Sequence, residues 1–447
     1  MKEKKVQILT PKRWASCMVA LFLLTACGGG SLQAQTIDTT VLRCGRLLDV
    51  RSGVLLPDQV VVVSGNRIAA VGPAAAVEIP ANATVVDLSQ TTVLPGLIDV
   101  HTHLTSVVSD TADNAFPLKK TGAEMALQGV ANARDTLAAG FTSVRDVGPA
   151  RAFVDVALRD AIEQGLIPGP RIQAAGAYVT ISGGAGDVTG FAPDIELPRE
   201  LRFGVANGAD QVRERVREII RHRAGVIKVL ATGAVLTLHS QPGAQEFTYE
   251  ELRAAVEEAE KAGLRVAAHA HGTAGAKAAI GAGVHSIEHG SFLDDEALAL
   301  MKERGTFLVP DLYNHEIILE GGKIGYPAEY IEKERLAGEA QRRTFQRALA
   351  LGVRIAYGTD AAIFPHGDNG RQFGVYVRYG MSPLAAIQSA TTEAAELLGW
   401  ADRIGSIEEG KLADIIAVRE NPLQKIDALE RVVFVMKDGR VFKNEVR

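Results

Sequence analysis

Short apolar runs alternate with segments of helical pattern through the middle of the chain. Eight of these runs are strand candidates, at residues 97–103, 141–147, 171–178, 226–231, 264–270, 284–289, 306–310 and 353–360. Their nearly continuous apolar character is typical of parallel strands that helices cover. Eight strand–helix units in about 300 residues predict an α/β fold, a (β/α)8 barrel of the TIM type. A doubly wound open sheet is the alternative.

Two sequence signals mark helix boundaries in this middle region. Thr248 and Glu251 have the spacing of a capping box, which predicts a helix start at that point. Ser382 and Pro383 are typical of a first helical turn, and we expect that helix to continue to Gly399.

Both ends of the chain have a different residue pattern from the middle. Residues 37–93 and 401–447 contain short β-branched runs separated by turn residues such as Gly and Asn. Two β-rich ends around a long α/β region predict a small β-sandwich domain built from both termini. The predicted barrel then occupies residues 94–400.

The first 36 residues have the pattern of an export signal and a tether. Five basic residues in the first thirteen precede an apolar run at 15–26, which is short for a membrane span. Leu24-Thr25-Ala26-Cys27 resembles a bacterial lipobox, which implies a signal peptide at 1–26, an acylated Cys27 and a tether at 27–36. An ordinary signal peptide cut before Gln35 is the alternative. We expect an exported, periplasmic or outer-membrane-associated lipoprotein that contacts the membrane only through its lipid anchor.

Charge and cysteine content narrow the functional classes. The formal net charge is −5 and no basic run follows the N-terminus, so the sequence does not indicate a nucleic-acid partner. Of the three cysteines, only Cys44 lies beyond the export signal, so no intramolecular disulfide is expected in the folded body.

Unusual polar residues cluster at the ends of the predicted strands. They are His101, His103, Lys228, His269, His271, His289 and Asp360. Positions i and i+2 of a strand share a face, and the carboxyl ends of barrel strands meet at one face. A lysine inside an apolar strand is costly unless it is neutral, paired or modified. Together these residues predict a metal site.

The same residues lie in motifs that resemble the amidohydrolase superfamily. The first is Leu94-Pro95-Gly96-Leu97-Ile98-Asp99-Val100-His101-Thr102-His103, and the similarity continues through residues 358–360 and 405–414 to cover nearly everything after residue 40. The segments around Lys228 and His289 resemble the Xaa-Pro dipeptidase (prolidase)-like, imidazolonepropionase-related branch. Ochratoxin-hydrolysing amidohydrolases are similar.

The resemblance implies two divalent metal ions, with zinc as the expected ion, and a metal-activated hydroxide that cleaves an amide bond. It assigns His101 and His103 to one metal, and His269 and His289 to the other. It further implies a carboxylated Lys228 that bridges both ions, and Asp360 as ligand and catalytic proton carrier. His271 is a second catalytic candidate that could also be a ligand, orient His269 or contact substrate.

The substrate and its contacts are less well defined by the sequence. The expected substrate is an Xaa-Pro dipeptide or an N-acyl amino acid, with ochratoxin A as one possibility, whose amine side carries a free carboxylate. Candidate contacts are Tyr178, His239, Tyr313, His315, His366 and Arg145, with Arg371 as a further carboxylate candidate. Dipeptidase relatives commonly carry His at the position of Ala185, and this departure leaves room for a bulkier or more apolar substrate.

Two other functions remain open. One is an imidazolonepropionase- or deaminase-like hydrolase of a cyclic C–N bond, although such mononuclear relatives usually lack the strand-four lysine and carry an acid after the strand-five histidine. Here Ala270-His271-Gly272 follows His269. The other is a non-catalytic exported metal-binding protein. We expect a homo-oligomer in either case.

Overall fold

The computed structural model describes residues 39–446, so the expected export signal and tether lie outside the described residues. The strands are β1 (Thr39–Asp49), β2 (Val54–Ser64), β3 (Arg67–Pro73), β4 (Thr84–Pro95), β5 (Leu97–Thr102), β6 (Phe141–Asp146), β7 (Arg171–Ala174), β8 (Tyr178–Val179), β9 (Val226–Leu230), β10 (Arg265–Ala270), β11 (Ser286–His289), β12 (Phe307–Val309), β13 (Ile415–Val418), β14 (Phe434–Lys437) and β15 (Arg440–Asn444).

The helices lie mostly between the strands of the middle region. They are α1 (Val108–Thr111), α2 (Phe116–Lys119), α3 (Gly122–Ala138), α4 (Val154–Glu163), α5 (Ala209–Arg221), α6 (Tyr249–Lys261), α7 (Thr273–Ala282), α8 (Asp295–Arg304), α9 (Asn314–Leu319), α10 (Ala328–Leu351), α11 (Arg371–Arg378), α12 (Pro383–Ser389) and α13 (Thr392–Leu398). Short 3₁₀ turns occupy Arg199–Leu201, Gly321–Lys323 and Ile426–Glu430. Over the described residues, none of the helices has the length and apolar character needed to cross a membrane.

Strands from both ends of the described chain pair in one seven-stranded sheet, in the order β15-β14-β13-β4-β1-β2-β3. β4 joins the two ends, because it runs parallel to β1 and antiparallel to β13. Apolar side chains from both ends, including Leu42, Val61, Ile415 and Phe434, share one core. Strand pairing therefore joins the strands from both ends of residues 39–446 in one sheet, and the expected two-sheet sandwich is not confirmed. The domain boundaries themselves stay a prediction.

The middle of the chain forms two parallel sheets, β5-β6-β7 and β12-β11-β10-β9-β8. Their strands fall within or overlap seven of the eight predicted runs, and the third run is split between β7 and β8. Helices follow most of these strands, as the α/β prediction requires. This placement brings the carboxyl ends of β9, β10 and β11 side by side.

The prediction of a regular eighth strand at 353–360 was wrong. It forms no ladder, only single bridges from Ile355 to Leu308 of β12 and from Ala361 to Thr102 of β5. Asp360 has a φ of +56°, outside the extended region, which ends any regular pairing there. The assigned sheets therefore do not join into a closed barrel, and closure stays a prediction.

The two helix-boundary signals had different outcomes. The Thr248 capping box is confirmed, since the Glu251 amide donates to Thr248 Oγ1 at 3.3 Å and the Thr248 amide donates to Glu251 Oε2 at 2.8 Å. The helix opened by Pro383 ends at Ser389, well before Gly399, and α13 begins anew at Thr392. At this break the carbonyls of Ser389 and Ala390 accept hydrogen bonds from the Tyr357 and Ile98 amides, so tertiary pairing replaces the helical bonds.

Candidate active site

The strand ends bring the predicted metal ligands to one cavity of about 290 Å³. Its lining includes His101, His103, Lys228, His269, His271, His289 and Asp360. Except for Asp360, which follows α10, these side chains come from β5, β9, β10 and β11 or from the residues directly after them. The placement follows from parallel pairing, because His269 of β10 stands between Leu230 of β9 and Glu288 of β11.

The two histidines at the end of β5 are each held through Nδ1. His101 Nδ1 lies 2.8 Å from Glu288 Oε2, and His103 Nδ1 lies 2.7 Å from the Gly148 carbonyl oxygen. Tyr178 donates to the same carbonyl at 2.7 Å and contacts His103 Nδ1 at 3.3 Å. Both Nε2 atoms then point to one carboxylate oxygen, Asp360 Oδ1, at 3.5 Å from His101 and 3.1 Å from His103.

Three further histidines are held in the same manner on the neighbouring strands. His289 Nδ1 lies 3.0 Å from Asp311 Oδ1, and His271 Nδ1 lies 2.8 Å from Ser291 Oγ. His269 is turned the other way, because its Nε2 contacts the Gly233 carbonyl at 3.1 Å. Each imidazole thus keeps one ring nitrogen free, which is how metal-ligating histidines are oriented.

The free donor atoms form two groups that share His289. In each group the ligand atoms lie within 4.8 Å of one another: His269 with His271 and His289, and His101 with His289 and Asp360. Burial, followed by the charge of Lys228, holds the pKa of His101 far below its usual value, and burial lowers that of His271 to about 3. Imidazole and carboxylate donors suit a divalent transition metal, so the donor set fits the implied ions. The structure adds His271 to the group predicted around His269 and His289.

Lys228 lies on the buried floor of this cavity. Burial lowers the pKa of its amine to about 8, while the negative charge of Glu288 opposes that effect. An amine with this pKa is neutral in about a tenth of molecules at pH 7, and a neutral amine is nucleophilic.

Asp360 is held as an anion despite its depth. Burial alone would raise its pKa, but the neighbouring His101 and His103 outweigh that effect and bring the pKa below the usual value. Its left-handed backbone, with φ of +56°, lies at the end of the irregular segment at 353–360, which follows α10. His101 and His103 therefore both face an ionised carboxylate.

Arg145 is not a substrate contact, contrary to the sequence prediction. Its guanidinium is buried behind the histidines, where it donates to Glu288 Oε1 at 2.8 Å, Ser286 Oγ at 3.1 Å and the Val100 carbonyl at 2.6 Å. Because Glu288 also holds His101, Arg145 balances the charge that orients a candidate ligand. It contributes nothing to the cavity lining.

Of the other predicted substrate contacts, only Tyr178 lines the cavity. His315 is engaged with Glu334 at 2.9 Å, His366 Nε2 contacts the Ser106 carbonyl at 3.1 Å, and the Tyr313 ring packs edge-on against Phe364. His239 and Arg371 are also missing from the lining within residues 39–446. The structure therefore does not bring these five side chains to the cavity lining, because loop position does not determine where a side chain points.

Several functional positions escaped the sequence analysis. Glu288 and Asp311 hold His101 and His289, and Gln341 donates to Asp311 Oδ1 at 2.6 Å. Glu288 and Asp311 do carry a sequence signal, because each stands at or just after the carboxyl end of a predicted strand. Gln341 and Glu334 sit within α10 and have no comparable signal.

Part of the cavity wall is apolar. Leu236, Ile318, Tyr330 and Ile363 belong to one cluster that lines it, and Ala185 leaves space on another side. Ala185 is itself fixed, since its amide donates to both Glu246 oxygens and its carbonyl accepts from Thr237 Oγ1 at 2.9 Å.

This chain belongs to the amidohydrolase family, whose family model matches residues 92–442. Ochratoxinase from Aspergillus niger is 35% identical over 367 residues, which are 78% of this chain and 75% of that protein. A solved Xaa-Pro dipeptidase with methionine in its active site is 39% identical with a TM-score of 0.85, and covers 91% of this chain and 100% of its own. A prolidase complexed with N-methylphosphonate-L-proline is 32% identical with a TM-score of 0.84 and the same coverage.

These relatives confirm the resemblance to the prolidase- and ochratoxinase-like branch. The chain is a hydrolase that acts on amide C–N bonds with the help of metal, and family members generally use divalent ions and small-molecule substrates.

Proposed function

We propose that this chain is a binuclear metallohydrolase that cleaves the amide bond of a dipeptide or an N-acyl amino acid. One observation carries the proposal: five histidines, each with one ring nitrogen held by a neighbouring protein group and the other directed to the donor cluster, surround Asp360 and Lys228 in one cavity. The two donor groups meet at His289 and so lie side by side, which is the arrangement that two neighbouring ions require.

His101, His103 and Asp360 would hold one ion, and His269, His271 and His289 would hold the other. Lys228, carboxylated on its amine, would bridge the two, and its burial and lowered pKa support that modification. When bound, the ions would polarise the substrate carbonyl and make a water more acidic. Zinc is the ion we propose, because imidazole and carboxylate ligands suit it.

Asp360 is placed to move the proton in this reaction. Its ionised carboxylate can accept a proton from the attacking water and pass it to the leaving amine. Tyr178 and Gly148 keep His103 oriented, and Asp311 does so for His289. The apolar part of the cavity wall would accommodate an apolar acyl group.

The substrate proposal draws on the named ligands of two relatives, methionine and a phosphonate analogue of a dipeptide with proline. Ochratoxin A is a third candidate, through the relative named for it. A free carboxylate on the amine side remains part of the proposal. However, no arginine lines the cavity among the described residues, so that carboxylate would meet the bound ions or neutral donors.

Metal counting and a substrate screen test this proposal together. Protein reconstituted with zinc in bicarbonate should hold two ions per chain by elemental analysis and should hydrolyse members of three panels: Xaa-Pro dipeptides, other N-acyl amino acids and ochratoxin A. Amide capping of the substrate carboxylate should lower kcat/KM. One ion or none would overturn the binuclear assignment, while ammonia release from cyclic substrates without amide hydrolysis would favour the deaminase alternative.

We also propose export as a lipoprotein and a homo-oligomeric state, both from the sequence and the family alone. Support for export is the lipobox-like Leu24-Thr25-Ala26-Cys27 after a basic segment. Mass spectrometry of the mature N-terminus should find a lipid-modified Cys27. An unmodified terminus downstream of it would refute the lipoprotein assignment and leave export in place.

A further inference from the structure

One face of α10 forms a wall of the active-site cavity. Tyr330, Glu334 and Gln341 all line the cavity, and their spacing of four and seven residues places them on one side of the helix. Gln341 is at the metal end, because it contacts Asp311. Glu334 lies two turns earlier, between the histidine groups and the apolar cluster that contains Tyr330.

Glu334 is a buried carboxylate, and Gly338 leaves room for it. Its residue exposure is 6%, and its Oε1 lies 2.9 Å from His315 Nδ1. A side chain at Gly338 would collide with this pair, because a Cβ there would stand 2.3 Å from Glu334 Oε1 and 1.9 Å from His315 Nδ1. In the part of the chain that the structure describes, Glu334 Oε2 has no hydrogen-bond partner.

The other carboxylates of the lining are neutralised in a different way. Asp110, Asp113 and Asp187 each pair with a lysine or arginine at 2.5–2.7 Å. Asp311 and Asp360 belong to the histidine groups. Over residues 39–446, Glu334 is thus the one lining carboxylate outside those groups that no lysine or arginine pairs with.

We propose that Glu334 binds a free amino group on the acyl part of the substrate, and so makes the site selective for dipeptides over N-acylated amino acids. The inference rests on the proposed amide hydrolysis and narrows its substrate class. A buried carboxylate is costly without a cation or hydrogen-bond donors, and a substrate ammonium would supply both. An N-acyl substrate offers a neutral group there and leaves the carboxylate half paired.

A matched pair of substrates tests this assignment on the zinc-loaded enzyme. Met-Pro and N-acetyl-Met-Pro differ only in the charge and bulk at the amino group. The wild type should cleave Met-Pro with the higher kcat/KM. Glu334→Gln keeps the size of the side chain, and it should lower kcat/KM for Met-Pro by about 10–100-fold, mainly through KM, as expected for loss of a charged hydrogen bond. Activity on N-acetyl-Met-Pro should change by less than about threefold.

Two control variants separate recognition from a structural role. Glu339→Gln removes the same charge from an exposed position of the same helix and should leave both substrates unaffected. His315→Gln disturbs the pair but keeps the carboxylate, so the preference for Met-Pro should survive. Equal losses on both substrates in Glu334→Gln, or no preference in the wild type, would overturn the proposal.

A binding measurement keeps this test independent of turnover. Methioninamide carries an ammonium and no carboxylate, and N-acetylmethioninamide lacks the ammonium. Calorimetry on the zinc-loaded protein should show tighter binding of methioninamide, and Glu334→Gln should remove the difference. If neither peptide is cleaved but this difference is found, the proposed hydrolysis fails and amine binding at Glu334 stands. If the two amides bind alike, amine binding at Glu334 is refuted.

Discussion

Replacement of Asp360 by asparagine should nearly abolish turnover without unfolding the protein. The φ of +56° at this position is a conformation in which Asn is as acceptable as Asp, so the backbone should persist. Asparagine also preserves an oxygen that can occupy the place of Oδ1, 3.1 Å from His103 Nε2 and 3.5 Å from His101 Nε2. What it loses is the negative charge and the capacity to accept a proton.

The expected loss follows from that missing proton transfer. General acid–base catalysis contributes about 10²–10⁴-fold to a rate. This range corresponds to about 2.7–5.4 kcal/mol in the activation free energy. Weaker metal binding would add to the effect, because Asp360 belongs to the donor group with His101 and His289.

The assay compares kcat of wild type and Asp360→Asn at equal, measured metal content, with circular dichroism to check folding. Asp402→Asn is the matched control, because Asp402 is exposed and remote from the cavity lining. An Asp360→Asn enzyme within tenfold of wild type would refute the assignment of Asp360 as proton carrier. His271 would then be the next candidate.

Three further substitutions examine the partners of the site. Asp311→Asn should weaken metal binding by about 10–100-fold in chelator competition, because His289 loses its charged partner; unchanged affinity would contradict that role. Lys228→Met should lower kcat by more than about 100-fold, which exceeds the usual effect of losing a residue that only orients a metal ligand. Short carboxylic acids with added zinc should restore part of the activity. Full activity of the variant would exclude a bridging carbamate. Arg145→Met should lower the free energy of unfolding by about 3–5 kcal/mol in urea, because it leaves the charge of Glu288 buried without its arginine partner, and adding Glu288→Gln should recover part of the loss.

The positions of the histidines were predictable, because residue type and strand position together specify where they meet. An imidazole at the carboxyl end of a parallel strand can point in few directions, and the alternation of side chains along β5 puts His101 and His103 on one side. The predicted first residues of β5, β6, β7 and β9, where apolar runs are long, agree with the structure.

The features that sequence reasoning missed depend on contacts between distant segments. The break after Ser389 exists because Tyr357 and Ile98 need the carbonyls of Ser389 and Ala390, and local helix signals contain no information on that need. Arg145 has the residue type of a carboxylate contact, but its direction is decided by Glu288, 143 positions away. Propensity and spacing depend on residues that are close in sequence, whereas the helix break and the direction of Arg145 depend on residues that are close in space.

The charge balance around Glu288 connects the two halves of the site. Glu288 contacts His101 Nδ1 with one oxygen and Arg145 with the other. Loss of either contact would leave a buried charge without that partner. The negative charge of Glu288 also opposes the effect of burial on the pKa of Lys228. Without Arg145 beside it, Glu288 would raise the pKa of that lysine further and keep the amine protonated. The arginine behind the cavity therefore favours a reactive Lys228, although it cannot touch a substrate.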